Sequence, residues 1–182
     1  MTARPPQGRL FLVVGPSGAG KDTLLAGAVA AEPRLHWARR VITRPEVAGG
    51  EPFEGVTEAT FAARLARRDF ALHWQAHRLR YGVPRGELAP LAAGRDVVLN
   101  GSRAAFGEIR MAFPGLILLH ITAPATVLAD RLAARGRETR AEILSRLQRA
   151  SVALPDGCPV IKIVNDASPK DGIDRLLQAI RG

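Results

Sequence analysis

Residues 15–24 read GPSGAGKDTL, and this stretch decides the fold of the 182-residue chain. It fits the phosphate-binding loop pattern G-x-x-x-x-G-K-[ST] except at the last position, where Asp22 replaces a hydroxyl residue. In such a loop the glycines let backbone N–H groups point at phosphates, and the following helix N-terminus adds partial positive charge. Lys21 is expected to reach the β- and γ-phosphates of a nucleotide. The predicted nucleotide-binding residues are Gly15, Pro16, Ser17, Gly18, Ala19, Gly20, Lys21, Asp22 and Thr23.

The segments around the loop have the order that a phosphate-binding loop requires. RLFLVV at 9–14 predicts a short buried strand, and KDTLLAGAVAAE at 21–32 predicts a helix. Three further apolar runs, DVVLNG at 96–101, LILLHIT at 116–122 and PVIKIV at 159–164, predict core strands separated by helices. Strands that alternate with helices indicate an α/β fold of the P-loop NTPase type, with a mainly parallel sheet covered by helices on both faces.

The charge of the chain is compatible with anionic ligands. The net charge is +9, and arginines dominate because only Lys21, Lys162 and Lys170 are lysines. The planar arginine side chain suits bidentate phosphate contacts. Aromatic residues make up only 5% of the chain, and no basic stripe alternates with them, so a nucleic-acid partner is not expected.

Targeting and metal signals are weak. The apolar run before Gly15 is too short for a secretion signal or a membrane span, so we expect a cytoplasmic protein without membrane contact. The single cysteine, Cys158, cannot form an intramolecular disulfide. The four histidines and this cysteine do not have the spacing of a metal site, so Mg²⁺ is expected to arrive with ATP. Nothing in the sequence indicates an oligomeric state.

Asp22 is the unusual residue of the loop. Serine or threonine at this position gives magnesium a neutral oxygen, whereas Asp22 offers a charged one. The apolar run VVLN at 97–100 ends in Asn100, at a position where enzymes with this loop often carry a magnesium-side acid. We therefore interpret Asp22 as a metal ligand that supplies this charge directly or through water. The alternative is that Asp22 is only a favourable acid in the first turn of a helix.

The motif order resembles the guanylate kinase superfamily over almost the whole length of the chain. The closer resemblance is to the ribose 1,5-bisphosphate phosphokinases of phosphonate breakdown, which carry aspartate after the loop lysine. The shared motifs are GKDTL at 20–24, ITRP at 42–45, Trp74 with YGV at 81–83, NGSR at 100–103, GRE at 136–138, and Glu142, Ile143, Arg146 and Leu147. The resemblance implies one kinase domain over 1–182, with an acceptor-binding insert at about 36–90 and a lid at about 131–149.

Two positions count against a guanine nucleotide as the acceptor. Guanylate kinases read guanine with carboxylates, and the matching positions here hold Gln75 and Ser102. A site without those hydrogen bonds loses discrimination steeply. Arg80 replaces the first tyrosine of the YYG segment, and we interpret it as favouring a more anionic acceptor.

The resemblance implies the transfer of a phosphoryl group from ATP to ribose 1,5-bisphosphate, giving 5-phosphoribosyl diphosphate. No general base is required, because the 1-phosphate is already ionised near neutral pH. Catalysis would then rest on positioning and charge stabilisation. The implied catalytic residues are Lys21, Arg131, Arg135 and Arg146. The implied acceptor residues are Arg40, Arg44, Tyr81, Asn100, Ser102 and Arg103, and Asn165 is implied on the adenine side.

Three alternatives remain open at this point. The first is a guanylate kinase or another small-molecule kinase, which a substrate screen distinguishes. The second is a non-catalytic binding module with a guanylate kinase-like fold, although such modules usually lose the loop that is intact here. The third is nucleic-acid binding through the +9 charge, which predicts a steep salt dependence.

Overall fold

The structure of the chain is a computed structural model. It describes residues 7–46, 51–76, 78–102, 105–134, 143, 144, 147 and 159–182.

A five-stranded parallel sheet forms the centre of the fold. β1 (Leu10–Val14) is its middle strand, with β7 (Val97–Asn100) on one side and β8 (Ile117–Thr122) on the other. β2 (His36–Trp37) and β9 (Val160–Val164) are the outer strands. All five residues of β1 are buried, as expected for a strand whose sheet is covered on both faces. The order β2-β7-β1-β8-β9 places the carboxyl ends of β1 and β7 side by side, which is where open parallel sheets bind ligands.

A second, mixed sheet follows β2 in the chain. It contains β3 (Arg40–Ile42), β4 (Phe53–Gly55), β5 (Phe70–Ala76) and β6 (Leu79–Pro84) in the order β4-β3-β6-β5. β3 and β4 are parallel, whereas β6 runs antiparallel to both β3 and β5. The helix α2 (Glu58–Ala66) begins after Thr57, whose side-chain oxygen accepts a hydrogen bond from the Thr60 N–H group.

Helices cover the core sheet on both faces. On one face, α1 (Lys21–Ala31), α5 (Ala125–Ala133) and α6 (Pro169–Arg181) share an apolar cluster with Phe11 and Val13. On the other face lie α3 (Arg85–Leu88), a 3₁₀ turn (Ala89–Ala93) and α4 (Phe106–Ala112), which share a cluster with Leu10, Leu12 and part of the mixed sheet. Successive residues of β1 therefore point to opposite faces, as the pleat requires.

The predicted α/β fold of the P-loop NTPase type is confirmed, with two local differences. The Pro- and Gly-rich composition of residues 45–58 predicts a loop, but β4 lies within this segment and pairs with β3. A three-residue strand has too little periodicity to be recognised in a sequence. Between the strands at 96–101 and 116–122 the sequence predicts a helix from Ser102 to Ala112, and the helix of the structure begins at Phe106. In the parts of the chain that the structure describes, no helix is both long and apolar enough to cross a bilayer.

Candidate active site

The phosphate loop leaves the carboxyl end of β1 and leads directly into α1. Gly18 and Gly20 have φ angles of 84° and 85°, in the left-handed region that favours glycine. A Cβ atom on Gly20 would lie 2.5 Å from Asn165 Nδ2, and one on Gly18 would lie 3.0 Å from Leu132 Cγ. The loop therefore requires glycine at both positions for conformational and steric reasons.

Lys21 is the first residue of α1, and its side chain turns back over the loop. Its Nζ atom donates hydrogen bonds to the backbone oxygens of Gly15 at 2.9 Å and Pro16 at 3.0 Å. The ammonium group is thus held beside the loop backbone at the positively polarised end of a helix. This arrangement provides a binding place for a polyphosphate.

The loop opens into a cavity of about 600 Å³ between the core sheet and the mixed sheet. The predicted residues that the structure brings together there are Gly15, Pro16, Ser17, Lys21, Arg40, Arg44, Tyr81 and Ser102, and the remaining lining residues are Val14, Trp74, Ala76 and Gly101. Three of these side chains are cationic. Among the described residues of the lining none is acidic and none is a histidine. The cavity therefore suits a ligand with several negative charges.

Aromatic rings hold the arginines of the cavity. Trp74 and Tyr81 face each other across the β5–β6 pair and stack with centroids 5.4 Å apart and an interplanar angle of 3°. The guanidinium carbon of Arg40 lies 5.2 Å from the Tyr81 centroid and 5.9 Å from that of Trp74. The guanidinium carbon of Arg44 lies 4.4 Å from the centroid of Phe53. Such cation–π contacts hold a flexible side chain in place without a counter-charge, although Arg40 is in addition paired with a carboxylate.

Asp22 and Asn100 meet beside the loop. Asn100 Nδ2 donates a hydrogen bond of 3.0 Å to Asp22 Oδ1 and another of 3.0 Å to Glu51 Oε2. Glu51 lies before β4 and also forms a bidentate pair with Arg40. Sequence analysis missed Glu51, because no local pattern distinguishes it from other loop glutamates. A second carboxylate therefore lies near Asp22 although β7 ends in an amide.

A second cavity of about 350 Å³ lies on the other side of the loop. Gly18, Gly20, Thr23, Arg131 and Asn165 are in its lining. Asn165 Nδ2 donates to the backbone oxygen of Ala19 at 2.8 Å, so the Asn165 side chain holds the loop itself. Arg131 Nη1 is buried and forms no hydrogen bond within the described residues.

The beginning of α6 supports this second cavity from behind. A Cβ atom on Gly172 would lie 2.6 Å from Asn165 Oδ1, so the helix approaches the amide closely. The Ser168 hydroxyl donates to Asp171 Oδ2 at 2.6 Å, and the Asp171 N–H group donates to Ser168 Oγ at 3.2 Å. The second of these bonds, together with the Ser168 N–H group donating to Asp171 Oδ2 at 3.2 Å, forms a capping box. The hydrogen bond from Ser168 lowers the pKa of Asp171 below its ordinary value of 3.8.

The interpretation of Arg80 as an acceptor-side cation is wrong. Arg80 packs over Phe61 with its guanidinium carbon 5.3 Å from the ring centroid, and its Nη1 atom lies 3.7 Å from Glu58 Oε2. Neighbouring residues of a strand point to opposite faces, so Tyr81 faces the cavity while Arg80 faces α2. Arg103, Arg135 and Arg146 lie outside the described residues.

Curated relatives cover most of the chain. It is 47% identical over 164 residues to a ribose 1,5-bisphosphate phosphokinase PhnN of Ruegeria sp. (strain TM1040), covering 90% of this chain and 86% of that protein. It is 41% identical over 179 residues to the protein of that name from Rhizobium etli (strain CIAT 652), covering 97% and 91%.

A longer relative contains a matching segment. The chain is 46% identical over 175 residues to a bifunctional ribose 1,5-bisphosphokinase-thymidine phosphorylase of Cupriavidus necator, and 96% of the chain is covered. The chain spans only 29% of the length of that protein. The similarity therefore concerns one part of the bifunctional relative.

Solved structures share the fold at low sequence identity. The guanylate kinase of Anaplasma phagocytophilum superposes with a TM-score of 0.65 at 18% identity, covering 97% of this chain and 86% of that one. A gluconokinase of Sinorhizobium meliloti 1021 gives a TM-score of 0.53 at 14% identity, with coverage of 97% and 93%. No family model matches the chain. The identity and coverage of the curated relatives show that the chain belongs to the ribose 1,5-bisphosphate phosphokinase family.

Proposed function

We propose that this protein transfers the γ-phosphoryl group of ATP to the 1-phosphate of ribose 1,5-bisphosphate, giving ADP and 5-phosphoribosyl diphosphate. The observation that carries the proposal is the cavity in which Lys21 of the phosphate loop meets Arg40 and Arg44. An acceptor with two phosphates suits this positive lining. The names of the curated relatives support the same substrate.

The phosphate loop is the proposed donor site. The backbone of residues 15–20 and Lys21 would hold the ATP phosphates, with Asn165 and Thr23 on the nucleoside side. Within the described part of the chain, no group of three or more histidine, cysteine or carboxylate side chains could hold a metal ion. Mg²⁺ prefers one or two carboxylates together with phosphate and water oxygens. Asp22 is the proposed protein ligand, and bound Mg²⁺ would neutralise phosphate charge during transfer.

The chemistry requires no proton abstraction by the protein. An oxygen of the acceptor 1-phosphate forms the new bond to the γ-phosphorus, and the bond from that phosphorus to the bridging oxygen of ADP breaks. A phosphate monoester has a second pKa near 6, so the attacking oxygen is ionised at neutral pH. The described lining contains no carboxylate or histidine that could act as a base. Alignment of the two phosphates and stabilisation of charge are the proposed contributions of the site.

The acceptor contacts follow from the lining. Arg40 and Arg44, with Tyr81 and Ser102, are the proposed ligands of the two acceptor phosphates, and Asn100 closes the end of β7 behind them. We propose Arg131 as a cation for the transferring group from the lid at about 131–149. Arg103 is a further proposed acceptor residue, and Arg135 and Arg146 are further proposed catalytic residues of the lid.

We also propose that residues 1–182 work as one kinase domain on a small molecule rather than on nucleic acid, with the insert at about 36–90. The cytoplasm is the proposed location, since ATP is abundant there. A guanylate kinase activity is less favoured, because Gln75 is exposed and Ser102 offers no carboxylate to guanine.

A substrate panel tests the proposed function. ATP consumption is measured with ribose 1,5-bisphosphate, ribose 5-phosphate, GMP and gluconate, and 5-phosphoribosyl diphosphate is assayed directly. We expect product only with the bisphosphate. Equal or faster turnover of GMP would contradict the proposal. Lys21→Met should abolish turnover, whereas Lys170→Met, at an exposed position on α6, should behave like the wild type. Full turnover by Lys21→Met would exclude a catalytic role for Lys21, and a wild-type protein that turns over none of the four acceptors would favour a binding module.

A further inference from the structure

Glu51 and Arg40 form a largely buried ion pair at the edge of the cavity. Arg40 Nε donates to Glu51 Oε1 at 2.6 Å, and Arg40 Nη2 donates to Glu51 Oε2. The exposed fraction of the side chain is 7% for Glu51 and 12% for Arg40. A bidentate pair that is shielded from water fixes the plane and direction of the guanidinium group.

The pair leaves one edge of Arg40 for a ligand. Glu51 takes the N–H group of Nε and one of the two on Nη2, so both N–H groups of Nη1 and the second one of Nη2 remain for a ligand. Arg40 is part of the cavity lining and Glu51 is not, which places the carboxylate behind the arginine as seen from the cavity. The guanidinium carbon also lies over the rings of Tyr81 and Trp74. The ion pair and the ring contacts together restrain the Arg40 head group before an acceptor binds.

The same carboxylate is connected to the phosphate loop. Glu51 Oε2 accepts a hydrogen bond from Asn100 Nδ2, which also donates to Asp22 Oδ1. Asn100 is only 2% exposed, so these bonds form away from bulk water. Arg40, Glu51, Asn100 and Asp22 thus form one continuous chain of hydrogen bonds between the acceptor cavity and the residue after Lys21.

We propose that Glu51 is a positioning residue for phosphoryl transfer. It aims Arg40 at the acceptor phosphate and, through Asn100, sets the acceptor side at a fixed distance from Asp22 on the donor side. The inference rests on the proposed function for the identity of the acceptor. Transfer between two phosphates depends on their alignment, so an Arg40 side chain without its anchor loses acceptor affinity and rate together.

The opposite interpretation is that Glu51 competes with the acceptor phosphate for Arg40. In that case the carboxylate occupies Arg40 until phosphate displaces it, and its removal strengthens acceptor binding. The two interpretations predict opposite signs for one substitution. The position of Glu51 outside the cavity lining favours the positioning role.

The test measures the binding of ribose 1,5-bisphosphate by titration calorimetry in the absence of ATP. We expect Glu51→Gln to raise the Kd about tenfold, as for the loss of one charge-assisted hydrogen bond. Glu46→Gln is the matched control, because Glu46 pairs with the exposed Arg39 and is absent from the cavity lining. This control should leave the Kd unchanged.

A double-mutant cycle separates positioning from a general effect on the fold. We expect Arg40→Gln to weaken binding as well, and Glu51→Gln to have no further effect in the Arg40→Gln background. In turnover assays Glu51→Gln should raise the acceptor KM and lower kcat while the KM for ATP stays within about twofold. Glu51→Asp, which keeps the charge on a shorter side chain, should show a smaller loss and serves if Glu51→Gln does not fold.

Two results would overturn the inference. One is tighter acceptor binding by a folded Glu51→Gln protein. The other is an equal loss of acceptor affinity from Glu51→Gln in the wild-type and in the Arg40→Gln background. Failure of the proposed function would be recognised separately, from the wild-type protein. If the wild type forms no 5-phosphoribosyl diphosphate, the same binding cycle with inorganic phosphate still reports whether Glu51 acts through Arg40.

Discussion

Asn165 and Ala19 are joined by a hydrogen bond of 2.8 Å although 146 positions separate them in the chain. The amide of Asn165, which is 4% exposed, holds the backbone carbonyl of the phosphate loop at the point where Gly20 begins the turn into α1. The Asn165 N–H group itself donates to Thr122 at the end of β8. The conformation of the loop thus depends on a residue that directly follows β9, an outer strand of the core sheet.

We expect Asn165→Ala to weaken ATP binding and lower the stability of the protein. The substitution leaves the Ala19 carbonyl without its buried donor, and such losses cost about 1–3 kcal/mol. ATP affinity by calorimetry and the melting temperature measure both effects. Gln178→Ala, at an exposed position of α6, is the control and should change neither. Wild-type affinity in Asn165→Ala would mean that the loop holds its shape without this bond.

Gly20→Ala should lower the stability of the protein and its ATP affinity, although the substitution adds only one methyl group. The backbone has φ 85° at this position, and a Cβ atom would meet Asn165 Nδ2 at 2.5 Å. Strain of this kind costs about 1–3 kcal/mol, and ATP affinity should fall with it. In Gly107→Ala, by contrast, the Cβ atom meets nothing within 4 Å, so this helix position should tolerate alanine. Equal stability of the two variants by thermal unfolding would contradict the expectation.

Asp22→Asn should reduce the affinity for magnesium at fixed ATP. Asparagine keeps an oxygen that can accept a hydrogen bond from Asn100 but removes the negative charge. We expect the apparent dissociation constant for magnesium to rise about tenfold. Asp22→Ser introduces the hydroxyl group that is usual at this position of the loop and should lose less magnesium affinity. The control is Asp174→Asn on the exposed face of α6, where the aspartate pairs with Lys170. An unchanged magnesium dependence in both Asp22 variants would exclude a metal role for Asp22.

Trp74 should report on acceptor binding through its fluorescence. The chain has two tryptophans, and only Trp74 lies against Arg40 and Tyr81 in the cavity. In Trp37→Phe, titration with ribose 1,5-bisphosphate should therefore change the remaining emission. The same titration of Trp74→Phe should give no change, and an equal signal there would place the ligand elsewhere.

The capping box of α6 gives a prediction for acidic pH. Because the hydrogen bond from Ser168 lowers the pKa of Asp171 below 3.8, the ionised carboxylate stabilises the folded state above that pH. The stabilisation is lost as the pH falls through the lowered pKa of the folded state. The melting temperature of the wild type should exceed that of Asp171→Asn near neutral pH, and the difference should shrink below pH 3.8. A difference that is independent of pH would contradict the linkage.

Local patterns were sufficient for much of the site. Glycines at positions 18 and 20 and a lysine at 21 follow a buried strand, and each of these features can be recognised from residues that are close together in the sequence. The two-residue spacing of strand faces would also have placed Arg80 opposite to Tyr81, so the wrong interpretation of Arg80 came from comparing residue types without that alternation.

The sequence by itself determined the strand, the glycine-rich loop and the helix that follow one another at residues 10–31, because φ preferences and hydrophobic periodicity act over a few residues. It also indicated Arg40 and Arg44, which line the cavity. Only the tertiary structure decided which polar groups pair: Glu51 bonds to Arg40 and Asn100, and Asn165 bonds to the backbone carbonyl of Ala19. These contacts join residues 11, 49 and 146 positions apart, so only the folded chain brings them together and no local pattern specifies them.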